Sequence, residues 1–208
     1  MMNAYPRWSL LAAPLLLSLG CSDPVPPPAQ GALTLSVSQA ANPPSGMACP
    51  DSGTTYQVGA VDSKTKMVQA PSMSSPGQSV ISGENNATIS CSVTGSNGNF
   101  KFSGSLRGIT PLGDTVSVVF ANGQVGADFT GTADVSISTS KLAAQTYVDT
   151  MPCTVTVLPP PNTSSVPPQI KGGSIWAEFA CPQVANPPNN LCQVGSASVV
   201  VFENCSGS

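Results

Sequence analysis

Cysteines and carboxylates are the side chains of this sequence that could do chemistry, because histidine is absent. Without an imidazole the chain cannot form Ser-His-Asp or Cys-His nucleophile systems, histidine-bound metal sites or histidine-ligated haem. We also find no glycine-rich nucleotide-binding motif. These absences leave paired carboxylates as the main enzymatic possibility.

Two carboxylate pairs are candidates for acid-base hydrolysis. Asp128 and Asp134 flank Gly131 and would converge if a strand bends there, and Glu178 and Glu203 would lie on the last two strands as possible cross-strand neighbours. Glycosidases use two carboxyl groups about 5–10 Å apart. The competing interpretation is that isolated acids on the solvent side of strands keep a weakly charged protein soluble and protect its edges. We favour that second interpretation and expect no catalytic residue.

The sequence indicates metal and ligand sites less clearly than it indicates the carboxylate pairs. Glu84, Asn85 and Asn86 cluster, and Asp114 lies in a glycine-containing loop, but calcium loops need a denser set of oxygens. We therefore expect no metal and no cofactor. Trp176 and Glu178 alternate with an apolar set on one strand, so both are possible contact residues for a partner.

Six of the seven cysteines form an even set once Cys21 is set aside. In an exported chain such a set indicates three disulfides. A metal site is the alternative, but no Cys-x-x-Cys spacing supports it. Six cysteines allow fifteen pairings, of which we expect Cys181–Cys192, Cys91–Cys153 and Cys49–Cys205.

Residues 1–20 have the features of an export signal. Arg7 precedes an apolar stretch of roughly ten residues, which is too short to span a bilayer. The run Ser18-Leu19-Gly20-Cys21 resembles the lipobox of bacterial lipoproteins, with Ser18 and Leu19 swapped relative to the usual order. This resemblance implies that the Cys21 thiol carries a lipid and becomes the first mature residue. An ordinary secretory leader is the alternative.

A tether would follow the lipid, because four prolines between Ser22 and Gln30 favour an extended chain of roughly 30 Å. By the same resemblance, Ser22 after the modified cysteine favours sorting to the outer membrane, where the domain would face the periplasm or the cell surface. The chain would then contact the membrane only through its lipid anchor.

Low charge limits the possible partners. Asp, Glu, Lys and Arg make up 8% of the residues and the formal net charge is −3, whereas about a quarter is usual. The basic residues are scattered, so binding to nucleic acid is not expected. Polarity comes instead from Ser, Thr, Asn, Gln and Gly.

Alternation of apolar and polar residues predicts strands throughout the mature chain. Leu33, Leu35 and Val37 share one face, and Val199–Phe202 is apolar without alternation, which is typical of a strand covered on both faces. Two hairpins are predicted, with tight turns at Asn97-Gly98 and Asn122-Gly123. The first would pair Val93 with Phe102, Cys91 with Gly104 and Ile89 with Leu106, and the second would pair Phe120 with Val125, Val118 with Ala127 and Val116 with Phe129.

These patterns predict an all-β fold, an antiparallel β-sandwich of about eight or nine strands stapled by disulfides. We expect three regions: a signal peptide over 1–20, the lipidated cysteine and tether over 21–30, and a single domain over 31–208. The expected function is non-enzymatic, a lipid-anchored envelope protein with a structural or binding role towards a protein or a glycan. The alternative is a carboxylate-dependent hydrolase of envelope polysaccharide.

Lipid attachment can be tested by labelling cells with a palmitate analogue. Wild-type protein is expected to incorporate the label and the Cys21→Ser variant to lose it, because serine offers no thiol for diacylation. Equal labelling of the two proteins would contradict the lipoprotein prediction.

Overall fold

The computed structural model describes residues 25–61, 64–65, 68–69, 71, 79–141, 146–159, 170, 173–186 and 190–207. Within these ranges the chain forms strands and no helix, so the all-β prediction is confirmed. In chain order the strands are β1 Gln30–Gln39, β2 Thr54–Val58, β3 Ala60–Val61, β4 Val68–Gln69, β5 Val80–Ile81, β6 Thr88–Ser96, β7 Asn99–Ile109, β8 Thr115–Val125, β9 Thr130–Thr139, β10 Thr146–Asp149, β11 Cys153–Val157, β12 Ile175–Asn186 and β13 Asn190–Glu203.

Eleven of these strands belong to one antiparallel sheet, and β3 pairs with β4 separately. The main order is β2-β1-β13-β12-β10-β9-β8-β7-β6, with β5 beside β1. The short strands β10 and β11 both lie between β9 and β12, so they share one position in the sheet. The structure thus has more strands than the eight or nine that the sequence pattern predicted, because several short strands accompany the long ones.

The sheet folds over so that its two halves face each other, in a sandwich-like arrangement. The ring of Phe202 on β13 lies over Gly104 on β7, where a Cβ would come within 2.8 Å of it. Phe120 packs edge-on against Phe179 and Phe202, with ring centres 4.9 and 6.0 Å away. These aromatic rings join strands from both halves into one hydrophobic core.

The hairpin of β6 and β7 has the predicted register. Val93 pairs with Phe102, Cys91 with Gly104 and Ile89 with Leu106. Asn97 and Gly98 form the turn with φ values of 54° and 77°, the left-handed backbone that a tight turn of this kind needs. The inner face of the hairpin is therefore apolar and its outer face polar.

The second predicted hairpin is wrong. Strand β8 runs through Asn122-Gly123, and the turn follows at residues 126–129, so Phe120 pairs with Val135, Val118 with Ile137 and Val116 with Thr139. Asn122 does have a positive φ of 51°, but the register shift around it marks a β-bulge. A β-bulge and a tight turn both use residues that tolerate a positive φ. The Asn-Gly dipeptide therefore does not distinguish the two structures.

Strand β13 is covered on both faces, as its unbroken apolar run predicts. Val200 and Phe202 face the core, while Val199 and Val201 face outward and are also fully buried. Thr34, the partner of Val199 on β1, donates its hydroxyl to the carbonyl oxygen of Pro71, itself buried. Pro71 therefore covers part of this outer surface.

All three predicted disulfide pairs are wrong, although all six cysteines are paired. The structure joins Cys49 to Cys192, Cys91 to Cys205 and Cys153 to Cys181. The predicted pairs Cys181–Cys192, Cys91–Cys153 and Cys49–Cys205 fail because strand register decides which thiols meet. Three disulfides are compatible with a location outside the cytoplasm.

The register explains each bridge. The pairing of Thr154 with Ala180 brings Cys153 opposite Cys181 on adjacent strands. Cys192 pairs with Gln39, whose side-chain oxygen accepts a hydrogen bond from the backbone N–H of Cys49. Each of these two disulfides thus joins positions that backbone pairing or a neighbouring hydrogen bond already holds close together.

The third bridge lies where the C-terminal segment meets β6. Ser206 accepts a hydrogen bond from the Val93 N–H and donates its own N–H to the Cys91 carbonyl. Cys205, one residue earlier, bonds to Cys91. Backbone and disulfide together cover part of the free edge of β6, which would otherwise leave unpaired backbone groups.

Removing this bridge is expected to open that edge. In the Cys91→Ala/Cys205→Ala variant the free energy of unfolding should fall by about 2–5 kcal/mol. Amide hydrogen exchange at Val93 and Ser206 should become fast. The Cys153→Ala/Cys181→Ala variant is the control, since it should lose stability but keep those two amides protected. Unchanged protection in the first variant would contradict this role.

Candidate functional site

Cys21 lies outside the described residues, so its lipidation stays a prediction. Within the described ranges we find no helix that is both long and apolar enough to cross a membrane. Strand β1 begins at Gln30, the last residue of the expected tether.

Trp176 and Glu178 project from the outer face of β12, and both are partly buried. The indole N–H of Trp176 donates to Oε1 of Glu203 over 3.3 Å, and the Ser79 hydroxyl donates to Oε2 over 2.6 Å. Burial raises the pKa of Glu178. The polar edge of Trp176 is therefore engaged within the chain, and a contact role for Trp176 and Glu178 stays a prediction.

The carboxylates of the two predicted pairs lie in different surroundings. Glu178 is opposite Val199, four residues from Glu203, which places their backbones about 13 Å apart along the strand. Asp128 is bound locally by the hydroxyl and N–H of Thr130, and these bonds lower its pKa. Asp134 instead accepts a 2.7 Å hydrogen bond from Asn122. Asp128 and Asp134 are thus each bound to a different neighbour, and Glu178 and Glu203 are offset along their strands.

Asp149 is a carboxylate to which sequence reasoning gave no role. It ends β10, and its side chain accepts a hydrogen bond from the backbone N–H of Val135. Val135 lies between the stretches of β9 that pair with β10 and with β11. Burial raises the pKa of Asp149, and the nearby Asp134 carboxylate adds to the rise. The Asp149 carboxylate therefore accepts the Val135 N–H in place of a backbone carbonyl from a neighbouring strand, which is a structural role.

The residues considered for calcium form local turns. Asn85 and Asn86 have positive φ values between the paired backbone groups of Glu84 and Ala87. Asp114 accepts a hydrogen bond from the Ser140 hydroxyl. In the described part of the chain, no three His, Cys, Asp or Glu side chains gather at metal-binding distance.

A buried polar cluster surrounds Asp51, which sequence reasoning treated only as one of the scattered acids. Its Oδ2 accepts hydrogen bonds from the hydroxyls of Tyr56, at 2.7 Å, and Thr139, at 2.6 Å. Burial raises the pKa of Tyr56, and the Asp51 carboxylate adds to the rise. Among the described residues neither Oδ1 of Asp51 nor the hydroxyl of buried Tyr147 has a hydrogen-bond partner. The cluster joins the 50–53 turn, β2 and β9.

A Ser-x-x-Lys spacing, found in some acyl-transfer enzymes, occurs at Ser138 and Lys141. Ser138 lies on the outer face of β9. The Lys141 ammonium lies 6.0 Å from the ring centre of Tyr56, a core residue. The structure thus directs Lys141 towards the Asp51 cluster and gives no sign of a Ser-Lys pair.

The outer face of β6 to β9 is an extensive hydroxyl-rich surface. Its outward positions follow from the inward, buried ones that alternate with them. The hydroxyl residues on this face are Thr88, Ser90, Ser92, Thr94, Ser96, Ser103, Ser105, Thr115, Ser117, Thr130, Thr132, Ser136 and Ser138. We call this surface the hydroxyl face. Such groups can donate and accept hydrogen bonds while remaining solvated.

Three shallow grooves lie on and beside the hydroxyl face. The first, of about 260 Å³, crosses β6 to β8 at the bulge and is lined by Ser92, Thr94, Lys101, Phe102, Ser103, Asn122, Gly123 and Gln124. The second, of about 370 Å³, shares Lys101 and Gln124 and extends towards Phe100 and Thr132. The third, of about 400 Å³, lies at the other end of β6 and β7 around Thr88 and Arg107. Apart from these cations, the polar lining is neutral hydroxyl and amide.

Comparisons with known proteins give no relative from which a function could be transferred. No family model, curated protein or solved structure matches this chain. The candidate site therefore depends on the chemistry of this chain alone.

The two tyrosines near Asp51 provide a matched stability test. Tyr56→Phe removes a hydrogen bond to a buried carboxylate and should lower the free energy of unfolding by about 1.5–3 kcal/mol. Tyr147→Phe removes the same atom where it has no described partner, so the loss should stay below about 0.5 kcal/mol. Denaturant unfolding measures both. An equal or larger loss for Tyr147→Phe would indicate a buried water between Tyr147 and Asp51.

Proposed function

We propose that this protein is a lipid-anchored envelope protein with a non-enzymatic binding role, and that the hydroxyl face binds a glycan. The single observation that carries the glycan assignment is the array of exposed hydroxyls on β6 to β9, next to grooves lined by Asn122 and Gln124. Sugar hydroxyls are both donors and acceptors, so Ser, Thr, Asn and Gln side chains are their natural complements.

A protein partner is less well supported by this surface. The core of a protein interface is rich in aromatic and aliphatic side chains and poor in exposed polar groups. Ile109, Val119 and Val148 are large apolar side chains exposed on or near the hydroxyl face, at 42%, 40% and 52%. They lie on three different strands, and Ser136 separates Val119 from Val148, so they do not form a contiguous apolar patch.

A hydrolytic role has less support than a binding role. Several described carboxylates accept local hydrogen bonds with a structural role, as with Asp128 from Thr130 and Asp149 from Val135. A glycosidase would need one carboxyl as acid and another as base or nucleophile across one cleft. We therefore propose binding without turnover.

The proposed lipid anchor and the disulfides are both typical of a protein at the cell envelope. A lipid on Cys21 and a proline-rich tether would hold the domain at the envelope, where oxidising conditions keep cysteines paired. Sorting to the outer membrane belongs to the same proposal.

A sedimentation assay tests binding and hydrolysis together. The purified full chain in neutral detergent is incubated with insoluble envelope polysaccharide, and bound protein and new reducing ends are measured. We expect protein in the pellet and no new reducing ends. Reducing ends that rise with time would indicate the hydrolase, and protein that stays in the supernatant for every glycan would overturn the glycan-binding role.

A further inference from the structure

We infer that the ligand of the hydroxyl face is an acidic polysaccharide, which lies along β6 and β7 with its anionic groups at Lys101 and Arg107. This inference rests on the proposed function and names the ligand class for the same surface. It depends on the placement of the two cations, on the lack of an ion pair to either of them among the described residues, and on the groove around each.

The charge distribution favours an anion at this surface. The chain carries an excess of acids, ten against seven basic residues, yet the sequence from 85 to 113, which holds β6 and β7, contains no Asp or Glu. Lys101 and Arg107 are both exposed on the outer side of β7. Neither forms an ion pair with another described residue, so both charges are available to a ligand.

The groove at Lys101 has the form of a polar subsite. The bulge at Asn122-Gly123 breaks the flat surface of the sheet, and Lys101 lies beside it opposite Thr94. Hydroxyls of Ser92 and Ser103 and the amide of Gln124 line the same groove. An ammonium surrounded by neutral donors suits a carboxylate or sulfate that is flanked by sugar hydroxyls.

The groove at Arg107 lies at the other end of the same pair of strands. Thr88, opposite Arg107 in the register, lines it with Asn86 and Thr115. The guanidinium can bind a carboxylate through two parallel hydrogen bonds. Arg107 is six positions from Lys101 along β7, which corresponds to about 20 Å.

Hydroxyls fill the space between the two cations. Ser90 pairs with Ser105, their oxygens 2.8 Å apart, and Ser92 pairs with Ser103. A polysaccharide that spans about 20 Å along these strands would therefore contact one cation, then a row of hydroxyls, and then the second cation. A polymer can occupy both ends at once, whereas a single acidic sugar cannot.

Asp134 is the carboxylate on the outer face of β9. Its Oδ2 accepts the hydrogen bond from Asn122, two strands from Lys101. This bond occupies one oxygen of Asp134, and the carboxylate stays outside the row that joins Lys101 to Arg107.

Binding to polygalacturonate, with neutral dextran as the comparison polymer, tests the inference. The full chain in neutral detergent should bind polygalacturonate, and the affinity should fall as salt rises. Lys101→Gln/Arg107→Gln should weaken this binding about tenfold or more, because both charged contacts are lost. Lys141→Gln makes the same charge change beside Tyr56, away from the hydroxyl face, and should leave the affinity unchanged.

The dependence of affinity on the length of the ligand provides the second measurement. Galacturonate monomer should bind at least tenfold more weakly than the polymer, since it reaches one cation only. Dextran binding that equals polygalacturonate binding and survives the double substitution would overturn the acidic ligand and leave the glycan-binding role standing. Absence of binding to either polymer, and to the insoluble polysaccharides above, would overturn both.

Discussion

The fold depends on one constraint, which is that a single antiparallel sheet must fold over and enclose its own core. Phe120 meets Phe179 and Phe202 across the two halves, and the C-terminal segment pairs with β6 where the sheet ends. Charged residues are too few to contribute much. Backbone hydrogen bonds, apolar burial and three disulfides therefore supply the stability. The position of every outward side chain follows from this closed arrangement.

Polar groups are used in two distinct ways. Inside the fold, Asp51 and Asp149 accept hydrogen bonds that tie strands and turns together. Outside, uncharged hydroxyls keep β6 to β9 soluble without the repulsion or the salt sensitivity of a charged surface. This division explains why a chain with 8% charged residues can still expose a wide polar face. It also leaves Lys101 and Arg107 as distinct charged positions on that face.

Surface chemistry, and not a deep cavity, is the basis for the functional proposal. The grooves at Lys101 and Arg107 are open and lined mainly by neutral polar groups. Such a surface suits an extended, solvated ligand that makes many separate hydrogen bonds along the strands. The disulfide from Cys91 on β6 to Cys205 holds the edge of this surface in place.

The sequence by itself determined the apolar faces of the longer strands, because alternation has a period of two and depends only on neighbouring residues. It also determined the register of the β6–β7 hairpin, since the turn at Asn97-Gly98 lies directly between the paired residues. It did not determine the cysteine pairing, the bulge at Asn122-Gly123 or the burial of Asp51. Those features depend on residues far apart in the chain, such as Cys49 and Cys192, which are 143 positions apart. Only the tertiary structure brings such positions together, because the folding of the sheet, and not local sequence, decides which strands become neighbours.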